Sequence, residues 1–371
     1  MKKRILHIVE AFGGGVYTYL VSLANATCEE FDVTIAYTKR PQTPNDFKNA
    51  LDSRVHLIEM KEVKREIKLI QDIKGGREIR KIYRNVDPDF VHLHSSKAGF
   101  LGRMVIDCRR NHVIYTPHGF AFLKKDDSFI KRCIYKMVEK VAALKGGEIV
   151  SVSKGEYDES LHLTKKATYI NNGIDLKPME HIQINDVVKE MKQNQLRIGT
   201  LGRICFQKGP DTFNEIARRL PEDLFLWIGD GDMADSLTCE NIAISGWLES
   251  EQAVESLNHI HIFVLPSLWE GLPMSLLEAM YLKRVCIVSN VIGNRDVINH
   301  GENGFIADNI EDYVRIIEEI KAGKWDIGKI VETAQKDVYE KYSVEVMCEK
   351  YIKIYQSVKR IKRNIWNRRL V

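Results

Sequence analysis

Two carboxylates, Glu270 and Glu278, stand in the stretch PSLWEGLPMSLLEAM, residues 266–280, directly after the apolar run HIFVL. Pro273 suits the first position of a helix, where its missing N–H costs nothing, so a helix is expected to begin near Met274. That leaves Glu270 on the preceding loop and Glu278 about one turn inside. Carboxylates so placed can accept hydrogen bonds from vicinal hydroxyls, one set on a sugar and another on a ribose, and the N–H groups of Gly271 and Leu272 can point into the same space. A carboxylate near a helix N-terminus is also favoured by the helix dipole alone, and the spacing leaves both readings open. Further upstream, GTLGRICFQKGPD places Arg203 and Lys208 on the loop after a strand, with Gly209 and Pro210 opening the next helix. Two cations beside a helix start suit a diphosphate; a solvated surface pair is the alternative. Near the start of the chain, AFGGGVYTYL supplies Gly13, Gly14 and Gly15 before a helix expected from about Val16, a turn that lets backbone approach an anion. It is not a complete dinucleotide fingerprint, because Thr18 stands where the third glycine would be. His118, in YTPHGF, either approaches a reacting centre or caps a neighbouring strand. Trp247, after Gly246, either stacks on a ligand or packs.

These residues need elements to hold them. Apolar, β-rich runs alternate with helical patterns: RILHIV, DVTIAYT, RVHLIE, FVHLH, HVIYT, EIVSVS and TYINN in the first half, then RIGTL, FLWIG, IAISG, HIFVLP, VCIVS and GFIAD. The alternation predicts an α/β chain with two doubly wound parallel sheets, each covered by helices and both facing a central cleft. The expected boundaries are a first Rossmann-like domain over residues 1–176, a polar linker over 177–195, a second such domain over 196–345, and a C-terminal helix over 346–371 that crosses back to the first. The chain has 371 residues, 44% of them hydrophobic and 29% charged, which fits a folded two-domain protein and not a disordered one. A net charge of +4 is too mild to imply nucleic acid. The seven cysteines are scattered without any C-x-x-C spacing, so neither a disulfide framework nor a zinc site is indicated. The run MKKRILHIVEAF reads as a strand and not as a signal peptide. No segment reaches the roughly 20 apolar residues of a membrane span.

Taken in order, GGG, TPHG, NGID, G-R-x-x-x-x-K-G-x-D and E-G-x-P-x-x-x-x-E resemble the retaining glycosyltransferases of family 4, with the GT-B fold, over about residues 4–345. The resemblance implies that Arg203 and Lys208 bind the donor diphosphate, with Gly14 and Gly15 nearby. It implies that Glu270, assisted by Gly271, Leu272, Pro273 and Met274, contacts the donor sugar, that Glu278 holds the ribose, and that His118 approaches the sugar hydroxyl and the reaction centre. Gly246 and Trp247 fall in the nucleobase region. No metal is expected: Arg203, Lys208 and helix N-termini can neutralise a departing diphosphate, and Asp230-Gly231-Asp232 has the spacing of a metal motif but lies on a loop beside the nucleotide. No other cofactor is expected, the nucleotide sugar being a substrate.

The segment VHLHSSKAGFLGR, residues 91–103, resembles a subset of family 4 that builds bacterial capsular, exopolysaccharide or O-antigen units on an undecaprenyl diphosphate carrier. This places His94, Ser95, Ser96 and Lys97 on the acceptor side. The partners expected are a nucleotide-sugar donor, most simply a UDP-sugar, a lipid-linked saccharide acceptor and an anionic membrane surface, with no nucleic acid. Basic and apolar residues mix at helical spacing in residues 61–84 and 122–145, and the tail KRIKRNIWNRRLV suits an anionic lipid face. The localisation expected is cytoplasmic, peripheral on the inner face of the cell membrane. The alternatives are a UDP-sugar 2-epimerase of the same architecture and a non-catalytic nucleotide-sugar-binding subunit.

Overall fold

A computed structural model describes residues 2–64, 66, 68–191 and 195–357. The first domain alternates strand and helix: β1 (Arg4–Phe12), α1 (Gly14–Thr27), β2 (Asp32–Lys39), β3 (His56–Glu59), α2 (Leu69–Val86), β4 (Phe90–His94), α3 (Ser96–Val105), β5 (His112–Thr116), α4 (Phe129–Leu144), β6 (Glu148–Ser151), α5 (Lys154–Leu161) and β7 (Ala167–Tyr169). Its seven strands lie in the order β3-β2-β1-β4-β5-β6-β7, and every pairing is parallel. A short helix α6 (Val187–Glu190) precedes the second domain: β8 (Arg197–Leu201), α7 (Pro210–Arg219), β9 (Leu224–Ile228), β10 (Ile242–Ile244), α8 (Ser250–Asn258), β11 (Ile262–Leu265), α9 (Met274–Tyr281), β12 (Val285–Ser289), α10 (Asn294–Val297), β13 (Phe305–Ala307), α11 (Ile310–Lys321) and α12 (Ile327–Lys341). Its six strands follow β10-β9-β8-β11-β12-β13, again all parallel.

Helices on both faces explain the continuous apolar strands. FVHLH of β4 and IFVL of β11 are buried at every position. In each sheet the order reverses beside the first strand, between β1 and β4 and between β8 and β11. A doubly wound sheet binds ligands outside the strand ends at such a reversal; the segments that follow β1, β4, β8 and β11 carry most of the residues singled out above, while His118 follows β5 and Gly246 and Trp247 follow β10.

The final helix α13 (Val344–Ser357) packs on the first domain, burying Met347, Cys348, Tyr351 and Tyr355 with Tyr19, Leu20 and Leu23 of α1. The two passages between domains meet where Ile174 N donates to Tyr342 O (2.9 Å) and Val344 N donates to Ile174 O (3.0 Å). A Cβ on Gly173, the glycine of NGID, would lie 2.3 Å from Ser343 O, so only glycine fits this crossing.

Three expectations shift, two by a turn or less and one by about two turns. α1 begins at Gly14 instead of Val16. Pro273 caps α9 in extended conformation (φ −77°, ψ 124°) instead of opening it. Of the two basic stretches, only residues from Leu69 and from Phe129 onward are α-helical, because Ser128 caps the second by accepting from Lys131 N. The basic tail, residues 359–371, lies outside the described residues.

Candidate active site

The second domain gathers the charges. In the turn after β8, Gly209 adopts φ +66° and a Cβ there would sit 2.4 Å from Pro266 O, so glycine alone lets this turn lie against the end of β11. Lys208 is thereby brought to Glu270, Nζ to Oε1 2.7 Å, and Gln207 Nε2 donates to Trp269 O (3.0 Å) and to Glu270 Oε2 (3.4 Å). Glu270 is 7% exposed. Arg203, half-buried on the same loop, makes no ion pair among the described residues. Glu278 lies one turn into α9; burial raises its carboxyl to about 7, with Lys208 pulling it back down. Gly246 sits at φ +72° after β10, and the neighbouring Trp247 ring is exposed.

The first domain presents His118 and the glycine turn. His118 has φ +55° and Gly119 φ +93°, a turn held by the buried Glu156 of α5, whose carboxylate accepts from Gly119 N (2.6 Å) and from Val152 N (2.8 Å). Burial lifts the Glu156 carboxyl to about 7 despite those two donors. Behind His118 lies His94, Nδ1 to Nε2 3.1 Å, and behind that His7, Nδ1 to His94 Nε2 3.0 Å. His92 completes the cluster, with Tyr355 OH on Nδ1 (2.8 Å) and Thr116 Oγ1 on Nε2 (2.9 Å). Burial holds His7 and His118 at about 3, and His94 well below the ordinary imidazole range. All are neutral at physiological pH.

The two halves close on each other. A Cβ on Gly271 would lie 3.1 Å from Gly119 N, and one on Gly15 would lie 3.7 Å from Met274 Cγ. Asn172 Nδ2 donates to Leu272 O (3.1 Å). Asp296 Oδ2 accepts from Gly155 N of the first domain (2.9 Å) and from Gly293 N of its own (3.0 Å). Gly15, His118, Gly271 and Met274 thus border one cleft, with Leu272 and Pro273 buried in its wall and Lys208 and Glu270 beside them. Gly14 adds nothing within 4 Å of its Cβ direction. The acceptor-side quartet is dispersed: His94 is fully buried and reaches the cleft only through His118, Ser95 (φ +68°) buries its hydroxyl without a partner, Ser96 opens α3, and Lys97 is tied to Asp72 at 2.6 Å. The sequence reading passed over Gln207, Glu156, Asp296, Asn172 and His7. Two of them carried a signal: Asn172, the first residue of NGID, and His7, a polar residue within the apolar run of β1.

Comparisons with known proteins identify the family and the fold. Residues 13–178 match the model "Glycosyltransferase Family 4" and residues 195–322 the model "Glycosyl transferases group 1". The chain belongs to glycosyltransferase family 4. It is 28% identical to the UDP-Gal:alpha-D-GlcNAc-diphosphoundecaprenol alpha-1,3-galactosyltransferase of Escherichia coli, over 80% of this chain and 81% of the relative. It is 24% identical to the capsular polysaccharide biosynthesis glycosyltransferase CapM of Staphylococcus aureus, over 81% and 84%. Among solved structures, sucrose-phosphate synthase from Thermosynechococcus elongatus superposes with a TM-score of 0.81 at 16% identity, covering 96% of this chain and 99% of that one. The fold of this family 4 enzyme is GT-B.

Proposed function

We propose that this glycosyltransferase moves a sugar, with retention at the anomeric carbon, from a UDP-sugar to a saccharide carried on a polyprenyl diphosphate in bacterial surface polysaccharide assembly. The observation that carries the reading is the Lys208–Glu270 pair, with Arg203 on the same loop and Gly271, next to Glu270, closing on the His118–Gly119 turn of the other domain. A diphosphate entering beside Arg203 competes with Glu270 for Lys208, and the carboxylate so released can accept hydrogen bonds from the donor sugar's hydroxyls. As the bond from the anomeric carbon to the phosphate oxygen breaks, the two cations take up the charge that develops on the diphosphate. The acceptor oxygen bonds to the same face of that carbon, and its proton passes to the departing phosphate. No metal is needed to balance the leaving group's charge. Neutral His118 can share one hydrogen bond with a sugar hydroxyl. The diphosphate-linked acceptor and the UDP donor are named in the Escherichia coli relative, which supports carrying both over.

A carrier lipid requires a way to the bilayer surface. Helix α4 exposes Ile130, Ile134, Met137, Val141 and Leu144 along one stripe, flanked by Lys131, Arg132, Lys136 and Lys140. A helix of this kind lies in the interface of an anionic membrane, and no described helix is long and apolar enough to cross one. We place the enzyme on the inner face of the cell membrane by this stripe. Ile134→Asp with Met137→Asp is expected to abolish co-sedimentation with phosphatidylglycerol vesicles at low salt while sparing transfer to a short-chain, water-soluble acceptor. Unchanged sedimentation would refute the placement.

The activity itself is tested by thermal shift with UDP-, GDP- and ADP-sugars, followed by transfer to a synthetic polyprenyl-diphosphate sugar. Binding to the folded state alone must raise the melting temperature. UDP-sugars are expected to stabilise the wild type, less so Glu278→Ala, and Glu270→Ala is expected to lose transfer. An epimerised sugar formed without acceptor would replace this reading with that of an epimerase.

A further inference from the structure

The nitrogens of His7, His94 and His118 form one line from the core to the cleft, and each ring is neutral. A neutral imidazole carries one N–H and one bare nitrogen, so the protonation of any ring in the line dictates that of the next. If His118 carried its proton on Nε2, it would donate to His94 Nδ1 (3.1 Å), and His94 Nε2–H would donate to His7 Nδ1 (3.0 Å). His7 would then hold its proton on Nε2, which is buried without a partner. In the opposite sense His7 Nδ1–H donates to His94 Nε2, His94 Nδ1–H donates to His118 Nε2, and the unpartnered atom at the buried end is a bare nitrogen. An orphaned buried N–H is the rarer arrangement in folded proteins.

Resting on the transferase reading above, we infer that His7 and His94 are positioning residues that fix His118 as the Nδ1–H tautomer, so that it meets the donor sugar as a hydrogen-bond donor. Nδ1 of His118 has no partner among the described residues. His92 does not join the line: Tyr355 and Thr116 occupy both of its nitrogens. Although ligand atoms of His7, His92 and His94 lie within 4.8 Å of one another, those hydroxyls and the His7–His94 contact leave no three lone pairs converging on a metal.

The direct test is long-range proton–nitrogen correlation of protein labelled with nitrogen-15 in histidine, the His118 signals being assigned by their loss in His118→Asn. A protonated Nδ1 with a bare Nε2 is expected. The reverse tautomer, an even mixture, or a tightly held transition metal on His94 would overturn the inference. The kinetic test uses His7→Asn, whose amide can still donate from the position of Nδ1, and His7→Leu, of the same branched shape without a donor. Loss of one hydrogen bond biases the tautomer by about a factor of ten or less, so His7→Leu should lower kcat by up to about tenfold with KM for the donor unchanged, and His7→Asn should stay within about twofold of wild type. Equal losses in the two variants, or none in either, would overturn it. Should His7→Leu fail to fold, the wild-type spectrum still decides. Wild-type protein that transfers no sugar yet shows the Nδ1–H tautomer would sink the transferase reading alone.

Discussion

Lys208 and Glu270 are each other's counter-ion, and removing one strands the other. Glu270 is 7% exposed, with Gln207 as its remaining side-chain donor at 3.4 Å. Lys208→Met is therefore expected to destabilise the protein by about 2–4 kcal/mol, and Lys208→Met with Glu270→Gln to recover most of that while still lacking transfer; chemical denaturation and a transfer assay check both. Glu278 adds a pH dependence. Its folded-state carboxyl lies near 7, above the ordinary value of about 4.3, so the folded protein binds the extra proton and stability falls as pH rises between those values. A ribose donating hydrogen bonds favours the ionised form. Affinity for a UDP-sugar, whose phosphate diesters do not titrate in this range, should therefore rise from pH 6 to pH 8, and Glu278→Gln should flatten that slope in calorimetry. Arg203, Lys208, Glu270, Glu278 and His118 could be nominated from the sequence because charges gather there with glycine and proline at strand ends, and the structure brings Lys208 to Glu270 beside the turn that carries His118. His7 and Glu156 were not: His7 is a lone polar residue in an apolar strand and Glu156 one of several charges in SKGEYDES, and neither setting tells what the side chain will face.

At the scale of elements, helix placement was readable and helix purpose less so. The segment VHLHSSKAGFLGR turned out to be largely a packing device. A Cβ on Gly99 would lie 2.3 Å from the Tyr115 ring and one on Gly102 would lie 2.5 Å from Leu93, while Arg103 pairs with Glu139 in the interior at 2.7 Å. These small residues let α3 sit directly on β4 and β5. Gly99→Ala is expected to cost about 1–3 kcal/mol by overpacking and to shift the Ser95 turn that opens α3; a lower melting temperature with weakened transfer would be the signature, and an unchanged melting temperature would show that the ring moves aside freely. Periodicity placed α4 and its basic flank, but which of its faces stays exposed depends on α3 and η-turn residues 121–123 packing against the other.

At the scale of the molecule, single side chains among the described residues bridge the two domains, Asn172 to Leu272 O and Asp296 to Gly155 N, so their relative setting rests in part on individual groups. Asp296 accepts N–H groups from both domains. Asp296→Ala is expected to lower kcat/KM about tenfold while UDP alone binds within about twofold of wild type, since the charged partners proposed for the nucleotide, Arg203, Lys208 and Glu278, belong to the second domain; a parallel loss of UDP affinity would mean that the contact shapes the nucleotide site instead. The sequence by itself determined the strand and helix alternation, the return of the last helix to the first domain and the charged residues at the strand ends, because hydrophobic period and glycine or proline placement act over a few residues. Only the tertiary structure decided that Lys208 neutralises Glu270 across 62 positions and that His7 and His94 line up behind His118. Those contacts join residues far apart in the chain, and a hydrogen bond between two buried rings leaves no trace in either one's neighbours along the sequence.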